Sequence, residues 1–180
     1  AESALTEPWA CVIAAYTQRR RLEHKLDGTM WILGNQDDQR VYEFSSGLDA
    51  PKLIVLSDVP PGFKALVREK AHPEATIVEV NKLTQEDFAR LNADMCVDQG
   101  FDDIILLAPS SAEVVSEAVN LIAFRGTFNV ITDQPLDGPV DIDAGRIHYH
   151  YTAYYGNQGQ DIAASYGEKR TRCDLLDGGT

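Results

Sequence analysis

Basic residues are scarce in this chain of 180 residues. Lys and Arg number 16 against 28 Asp and Glu, which gives a formal net charge of −12. A surface this acidic repels phosphate backbones and anionic lipid heads, so neither nucleic acid nor membrane is expected as a partner. The one basic cluster, Arg19-Arg20-Arg21, adjoins Glu23 and is interpreted as a solvated helix end rather than a binding patch.

Cysteine is also scarce, and the three cysteines are far apart. Cys11, Cys96 and Cys173 match neither a metal-ligand spacing nor a disulfide framework. A reduced, cytoplasmic setting is therefore expected. No apolar run reaches the length of a membrane span, and no signal peptide is visible. The chain begins at Ala1 without an initiator Met, which is typical of a processed product or of a domain cut from a longer protein.

Short apolar runs alternate with helical patterns through the middle of the chain. The predicted strands are 30–33, 53–56, 76–80, 104–107 and 128–131. The predicted helices are a short one between the first two strands, one over 63–71, one capped by Thr84 and Asp87, and one that starts after Ser110-Ser111 and ends at Gly126. Apolar strands joined by crossover helices predict an α/β fold with a doubly wound parallel sheet, Rossmann-like, over residues 28–145.

Two flanking segments have a different character. Glu7-Pro8 opens a first helix within residues 1–27, whose apolar face is predicted to hold Trp9, Val12, Ile13 and Tyr16. Residues 140–143 and 146–155 alternate as strands do, and 160–166 is predicted to be a short helix. His148 and His150 would then share one strand face. Packing among tyrosines is favoured over a metal site there, because no third ligand is near in sequence.

Glycine is missing where the fold would need it most. From Gly34, at the end of the first strand, to Asp58, at the end of the second, there are 24 residues, as 58 − 34 = 24. This is the frame of a dinucleotide-binding unit, whose acid binds a ribose about 20 residues past the glycines. The next two glycine positions hold Gln36 and Gln39, with Asp37 and Asp38 between them. A carboxylate about 5 Å from a phosphate costs roughly 3 kcal/mol at an effective dielectric near 20.

Polar loop residues follow the ends of the other predicted strands. In open α/β sheets, ligands bind outside the carboxyl ends of the strands. The candidate cofactor-binding residues are Gly34, Asn35, Gln36, Asp58, Ala108, Pro109 and Thr132. Two alternatives stay open: plain loops at 108–110 and 132–133, and a turn-capping role for Asp58 beside Pro60-Pro61.

Several segments together resemble a known family. They are Glu7–Val12, the strand that ends in Gly34, Leu56-Ser57-Asp58, Gly100–Ile105, Phe124–Asn129, Ile147-His148-Tyr149 and Gly156–Gly159. In order and spacing they resemble the medium-chain, zinc-type alcohol and polyol dehydrogenases, most of all the sorbitol and sorbose-phosphate branch. The similarity runs from about Leu5 to Tyr166.

The resemblance implies the coenzyme-binding half of an NAD(H)-dependent enzyme that acts on a polyol, sugar alcohol or sugar phosphate. It implies homodimers joined through the sheet, with strand 128–131 or the following one at the edge. The family's zinc ligands lie on an amino-terminal domain that is absent here, so residues 1–27 and 146–180 would link to that domain. Glu7 alone matches a catalytic position at the zinc, as a ligand or a partner of the metal-bound water. The alternative is that Glu7 is simply an acidic residue in the first turn of the helix, where the helix dipole favours a negative charge.

A second function remains open because of the altered glycine loop. A degenerate Rossmann domain that has lost its dinucleotide could serve a structural or regulatory role. Gln36, Asp37, Asp38 and Gln39 favour this alternative, whereas the spacing to Asp58 favours NAD.

Overall fold

A computed structural model describes residues 2–17, 20–80, 82–95, 97 and 99–167. Its α-helices are α1 Thr6–Thr17, α2 Pro61–Lys70, α3 Gln85–Asp94, α4 Ala112–Val119 and α5 Ala144–Tyr149. Its strands are β1 Thr29–Leu33, β2 Leu53–Ser57, β3 Thr76–Glu79, β4 Phe101–Leu107, β5 Ile122–Ile131 and β6 Ala153–Asn157. Short 3-10 helices lie at Glu2–Leu5 and Ile162–Ser165.

The six strands form one parallel sheet in the order β3-β2-β1-β4-β5-β6. This confirms the predicted α/β fold with a doubly wound, Rossmann-like sheet. β4 is buried along its whole length, as expected for a central strand covered on both faces. The order reverses between β1 and β4, and a crevice opens at such a point beyond the carboxyl ends of the strands. β3 and β6 are the edge strands.

The caps of two helices follow the predicted chemistry. At the start of α3, the Asp87 carboxylate accepts a hydrogen bond from Thr84 N at 2.9 Å. At the start of α4, Ser111 Oγ accepts from Val114 N at 3.2 Å. The predicted end of α4 at Gly126 is wrong, because the helix ends at Val119 and β5 begins three residues later. Gly126 lies inside β5, where an added Cβ would come within 2.6 Å of Ile122 Cγ1.

The crossover between β1 and β2 contains no helix in residues 34–52, so the predicted short helix is wrong. Polar side chains bond to the local backbone instead: Asn35 Oδ1 accepts from Asp37 N at 3.0 Å, and Asp38 Oδ1 accepts from Arg40 N at 3.1 Å. Such local bonds compete with helix formation. The sheet is covered on this side by Tyr42, Phe44 and Leu48, which are 0–5% exposed.

In the carboxyl-terminal part of the chain, two strand predictions are wrong. Residues 140–143 form no strand, and the predicted strand 146–155 is helical in its first half. The Asp143 side chain caps α5 by accepting from Gly145 N at 2.8 Å, which starts a helix where the alternating pattern predicted a strand. β6 pairs in parallel with β5 and so extends the same sheet. The predicted helix at 160–166 is present as a 3-10 helix.

The amino-terminal segment also departs from expectation. The predicted apolar face of α1 is exposed at Trp9, Val12 and Ile13. The prediction that the basic cluster is a solvated helix end is wrong for Arg21. The Arg21 side chain is 20% exposed and pairs with the fully buried Asp103. Arg19, Cys96 and Cys173 lie outside the described residues, and Cys11 is exposed. No described helix has both the length and the apolarity that crossing a membrane requires.

Candidate functional site

A cleft of about 370 Å³ lies at the carboxyl ends of β1, β4 and β5. It occupies the position where the strand order reverses, which is the usual ligand position in such sheets. The structure brings together here four of the predicted residues, Asn35, Ala108, Pro109 and Thr132. The other described residues that line the cleft are Asp37, Asp38, Ser110, Ser111, Asp133, Gln134, Pro135, Leu136 and Asp137.

Gly34, Gln36 and Asp58 lie together at the ends of β1 and β2. Gly34 N donates to Ser57 O at 2.8 Å. A Cβ on Gly34 would lie 2.7 Å from both Asp58 O and Val59 Cα. Only glycine allows the two strand ends to approach this closely.

Asp58 presents a partly exposed carboxylate at the end of β2. Its oxygens accept from Lys82 N at 2.9 and 3.1 Å and from Gln36 Nε2 at 2.5 Å. A carboxylate offers about four acceptor sites, so capacity for a further donor remains. Asp58 and Ala108 both have positive φ, 52° and 44°. Strained non-glycine residues cluster at functional sites, and these two end β2 and β4.

A bridge of three side chains, Asp38, Arg40 and Tyr42, adjoins the cleft through Asp38. Asp38 accepts from Arg40 Nε at 3.2 Å and from the Tyr42 hydroxyl. Arg40 Nη2 also donates to Ile131 O at 3.3 Å, and Arg40 Nη1 lies 3.4 Å from Asp133. Burial tends to raise the pKa of Asp38, but the hydrogen bonds from Tyr42 and Arg40 outweigh it and lower that pKa. Arg40 thus joins the irregular crossover to the end of β5.

The amino end of α4 faces the same cleft but is already occupied. Asp137 Oδ1 accepts from Ala112 N at 2.6 Å, and Ser111 Oγ accepts from Val114 N. Free N–H groups at a helix start are a ready anion site. Here a carboxylate takes the place that an anion would take.

The cleft as a whole is acidic. Asp37, Asp38, Asp133 and Asp137 line it, and no Lys or Arg is among its described lining residues. Arg40 offsets part of this charge through Asp38 and Asp133. Each unpaired carboxylate about 5 Å from a phosphate costs roughly 3 kcal/mol, less where water screens it.

Glu7, the predicted catalytic and zinc-binding residue, is exposed on α1 and is not among the residues that line the cleft. In the part of the chain that the structure describes, no group of three or more His, Cys, Asp or Glu could hold a metal ion. His148 packs on Tyr149 with ring centroids 4.6 Å apart, and His150 Nδ1 accepts from Arg146 Nε at 3.3 Å. The two histidines lie at the end of α5 rather than on one strand face.

Comparison with known proteins gives a likeness of fold. No family model matches the chain, and no curated protein matches it. Benzyl alcohol dehydrogenase from Acinetobacter calcoaceticus is 17% identical with a TM-score of 0.51, over 81% of this chain and 37% of that chain. A zinc-binding dehydrogenase from Sinorhizobium meliloti, solved bound to NADP, is 18% identical with a TM-score of 0.51, over 91% of this chain and 48% of that chain. The fold of this chain is similar to that of the matched parts of these two dehydrogenases. This chain spans less than half the length of these two proteins.

The residues at the ends of β1 and β2 suit one half of a dinucleotide and not the other. Asp58 stands where a ribose-binding acid belongs and can accept a further hydrogen bond. The pyrophosphate position after β1 lacks its usual partners, because no helix starts after Gly34 in residues 34–52. Zinc has no ligand group within the described residues.

Sequence reasoning missed the bridge and the cap, although both left a signal. Asp38, Arg40 and Tyr42 alternate, which places them on one side of an extended chain. Asp137 precedes Gly138-Pro139 in a loop that returns towards α4. The partners of Arg40 at Ile131 and Asp133, and the partner of Asp137 at Ala112, lie in other segments of the chain, so these contacts could not be read from local pattern.

Proposed function

We propose that this chain is the coenzyme domain of a longer, NAD(H)-dependent, zinc-type dehydrogenase that acts on a polyol, a sugar alcohol or a sugar phosphate. The observation that carries the proposal is Asp58, a partly exposed carboxylate at the end of β2 in a sheet of Rossmann order. A ribose diol donates to an acid at this position, and the acid disfavours the 2′-phosphate of NADP. The nicotinamide supplies hydride transfer when the coenzyme is bound.

The rest of the enzyme would come from outside this chain. We propose that residues 1–27 and 146–180 join residues 28–145 to a domain that carries the zinc ligands, with Glu7 near the metal. The exposed apolar side chains of α1, such as Trp9 at 67%, are compatible with a helix that is covered in a longer protein. We also propose a homodimer joined through β6, which is an edge strand, in a cytoplasmic setting.

Coenzyme affinity should be low because the pyrophosphate lacks its usual contacts. We expect a dissociation constant for NADH of about 1 mM, equivalent to roughly −4 kcal/mol. A hydrogen bond to a charged group contributes about 1.5–3 kcal/mol. Asp58→Ala should therefore weaken NADH binding by about tenfold to a hundredfold.

Calorimetric titration with NADH, NADPH and ADP-ribose tests the proposal. Asp94→Ala is the matched control, because Asp94 is exposed at the end of α3, away from the residues that line the cleft. We expect NADH and ADP-ribose to bind the Asp94→Ala control with the same affinity as the unaltered chain. We expect NADPH to bind both proteins more weakly than NADH does. Equal affinity of the Asp58→Ala variant for NADH would contradict the ribose role of Asp58.

A second function is favoured by a specific observation, the carboxylates at the pyrophosphate position. Asp37 and Asp38 follow β1, and the crossover at 34–52 contains no helix. These features favour a degenerate Rossmann domain with a structural or regulatory role. Absence of heat with both NADH and ADP-ribose at high millimolar concentration would select this function over the first.

A further inference from the structure

A second cavity, of about 650 Å³, lies at the edge of the sheet opposite the acidic cleft. Its wall includes Thr29, Asp102 and Ala123, which stand at or next to the first residues of β1, β4 and β5. The cavity therefore opens at the amino ends of these strands. No residue that lines it also lines the acidic cleft. Its volume is typical of sites that bind small molecules.

The wall of this cavity is basic, in contrast to the chain as a whole. Three basic side chains line it, Arg21, Lys25 and Arg125, against the single acidic side chain of Asp102. The whole chain has 16 basic and 28 acidic residues, so the excess of positive charge is local. A concave surface with such an excess attracts anions.

Two of the three basic side chains are paired within the protein. Lys25 Nζ donates to Asp102 Oδ1 at 2.6 Å, and Arg21 Nη1 donates to Asp103 Oδ1 at 2.9 Å. An ammonium group has three donor hydrogens, so Lys25 retains donors for a second acceptor, and its side chain is 51% exposed. The guanidinium of Arg125 has five donor hydrogens, which allows it to bond a ligand in addition to a protein group.

An irregularity in β5 brings Phe124 and Arg125 to the cavity. The pairing of β4 with β5 shifts register between Phe101 and Asp103, and Arg125 has a φ of 56°. Consecutive side chains of a regular strand point to opposite faces, but here Phe124 and Arg125 are both exposed. Bulges re-aim side chains in this way and are frequent next to functional sites.

The irregular segment is held on both sides by contacts of the protein. Arg21 Nε donates to Arg125 O at 3.1 Å, and Arg125 N donates to His150 O at 2.7 Å. The Arg125 guanidinium lies 5.7 Å from the centroid of the Tyr151 ring, and the Phe124 ring stands perpendicular to the same ring with centroids 6.2 Å apart. Side chains positioned in advance lose less entropy when a ligand binds.

We propose that this cavity binds a small aromatic carboxylate, with its carboxylate on Arg125 and Lys25 and its ring against Phe124. The planar guanidinium fork matches the geometry of a carboxylate. The Phe124 ring is 53% exposed, which leaves an aromatic surface for a second ring to cover. A phosphate monoester would bring a second negative charge towards Asp102, so a singly charged anion is favoured.

Calorimetric titration with phenylacetate, phenylacetamide and acetate tests the site. Phenylacetamide has the shape of phenylacetate without its charge, and acetate has the charge without the ring. We expect phenylacetate to bind the unaltered chain about tenfold more tightly than either of the other two compounds.

Two variants remove the proposed contacts one at a time. Arg125→Met removes the charge and keeps much of the side-chain stem, and Phe124→Ala removes the ring. Arg68→Met is the matched control, because Arg68 is 61% exposed and does not line the cavity. We expect the control to bind phenylacetate as the unaltered chain does, and each of the two site variants to bind it about tenfold more weakly.

Three results would overturn the proposal. They are the absence of phenylacetate binding to the unaltered chain at high millimolar concentration, equal affinity for phenylacetamide, and undiminished binding by either site variant, with folding verified by circular dichroism. If a variant fails to fold, amide chemical shifts of the unaltered chain decide the question. Shifts at Gly100, Phe124 and Arg125 on adding phenylacetate support the site, and shifts confined to other parts of the chain contradict it.

Discussion

Replacing Arg21 by methionine should destabilise this protein more than any exposed charge change. The Arg21 guanidinium lies 2.9 and 3.3 Å from the two oxygens of Asp103, whose side chain is 0% exposed. Removing one partner of a buried ion pair costs about 3–5 kcal/mol, because the other charge stays buried. Asp103 keeps hydrogen bonds from Thr127 and from Lys25 N, so we expect about 3 kcal/mol, at the lower end of that range.

Thermal and urea unfolding followed by circular dichroism would measure this loss. In a chain of this size, 1 kcal/mol shifts the melting temperature by about 2–4 °C, so Arg21→Met should melt about 6–12 °C lower. Lys25→Met is the control, because Lys25 is 51% exposed beside Asp102 and such pairs contribute at most about 1 kcal/mol. If Arg21→Met melts no lower than Lys25→Met, the buried pair does not stabilise the fold and the reasoning is refuted.

Two further perturbations test the buried histidine and the strand ends. Burial lowers the folded-state pKa of His24 below 6.5, so the unfolded chain takes up its proton first and stability should fall as pH drops below about 6.5, at up to about 1.4 kcal/mol per pH unit. The urea midpoint should fall with pH in the unaltered chain and in the control His72→Gln, which changes an exposed histidine. It should not fall in this way in His24→Gln, and a fall that persists in His24→Gln would contradict the assignment to His24. Gly34→Ala should destabilise by about 1–3 kcal/mol, because its Cβ meets backbone atoms at 2.7 Å. Gly62→Ala, with open space around its Cβ, should unfold at an unchanged or higher urea concentration, and equal midpoints for the two variants would contradict the steric argument.

The sheet could be predicted because its strands are short and buried on both faces. Runs such as Ile104–Leu107 are apolar throughout, a pattern that parallel strands share and amphipathic helices lack. The meeting of Asn35, Ala108 and Thr132 could also be predicted, because the carboxyl ends of parallel strands lie at one edge. These inferences depend only on the local spacing of apolar residues and on the topology of a parallel sheet.

What could not be predicted depends on partners that are distant in sequence. The crossover at 34–52 has the length that a helix would need, yet Asn35 and Asp38 divert its backbone into local turns. Arg21 looked solvated because its partner, Asp103, lies 82 residues away.

The coil that replaces the crossover helix has a consequence for how the chain folds. A helix takes its hydrogen bonds from its own residues and forms within about a microsecond. This coil makes two of its backbone hydrogen bonds with a distant segment: Glu43 N donates to Gln160 O at 3.0 Å, and Ile162 N donates to Glu43 O at 3.0 Å. Contacts so distant in sequence cost loop-closure entropy before they stabilise anything, which slows folding. The cover over Met30 and Ile32 should therefore be completed late in folding, and in synthesis only after residue 162 has been made.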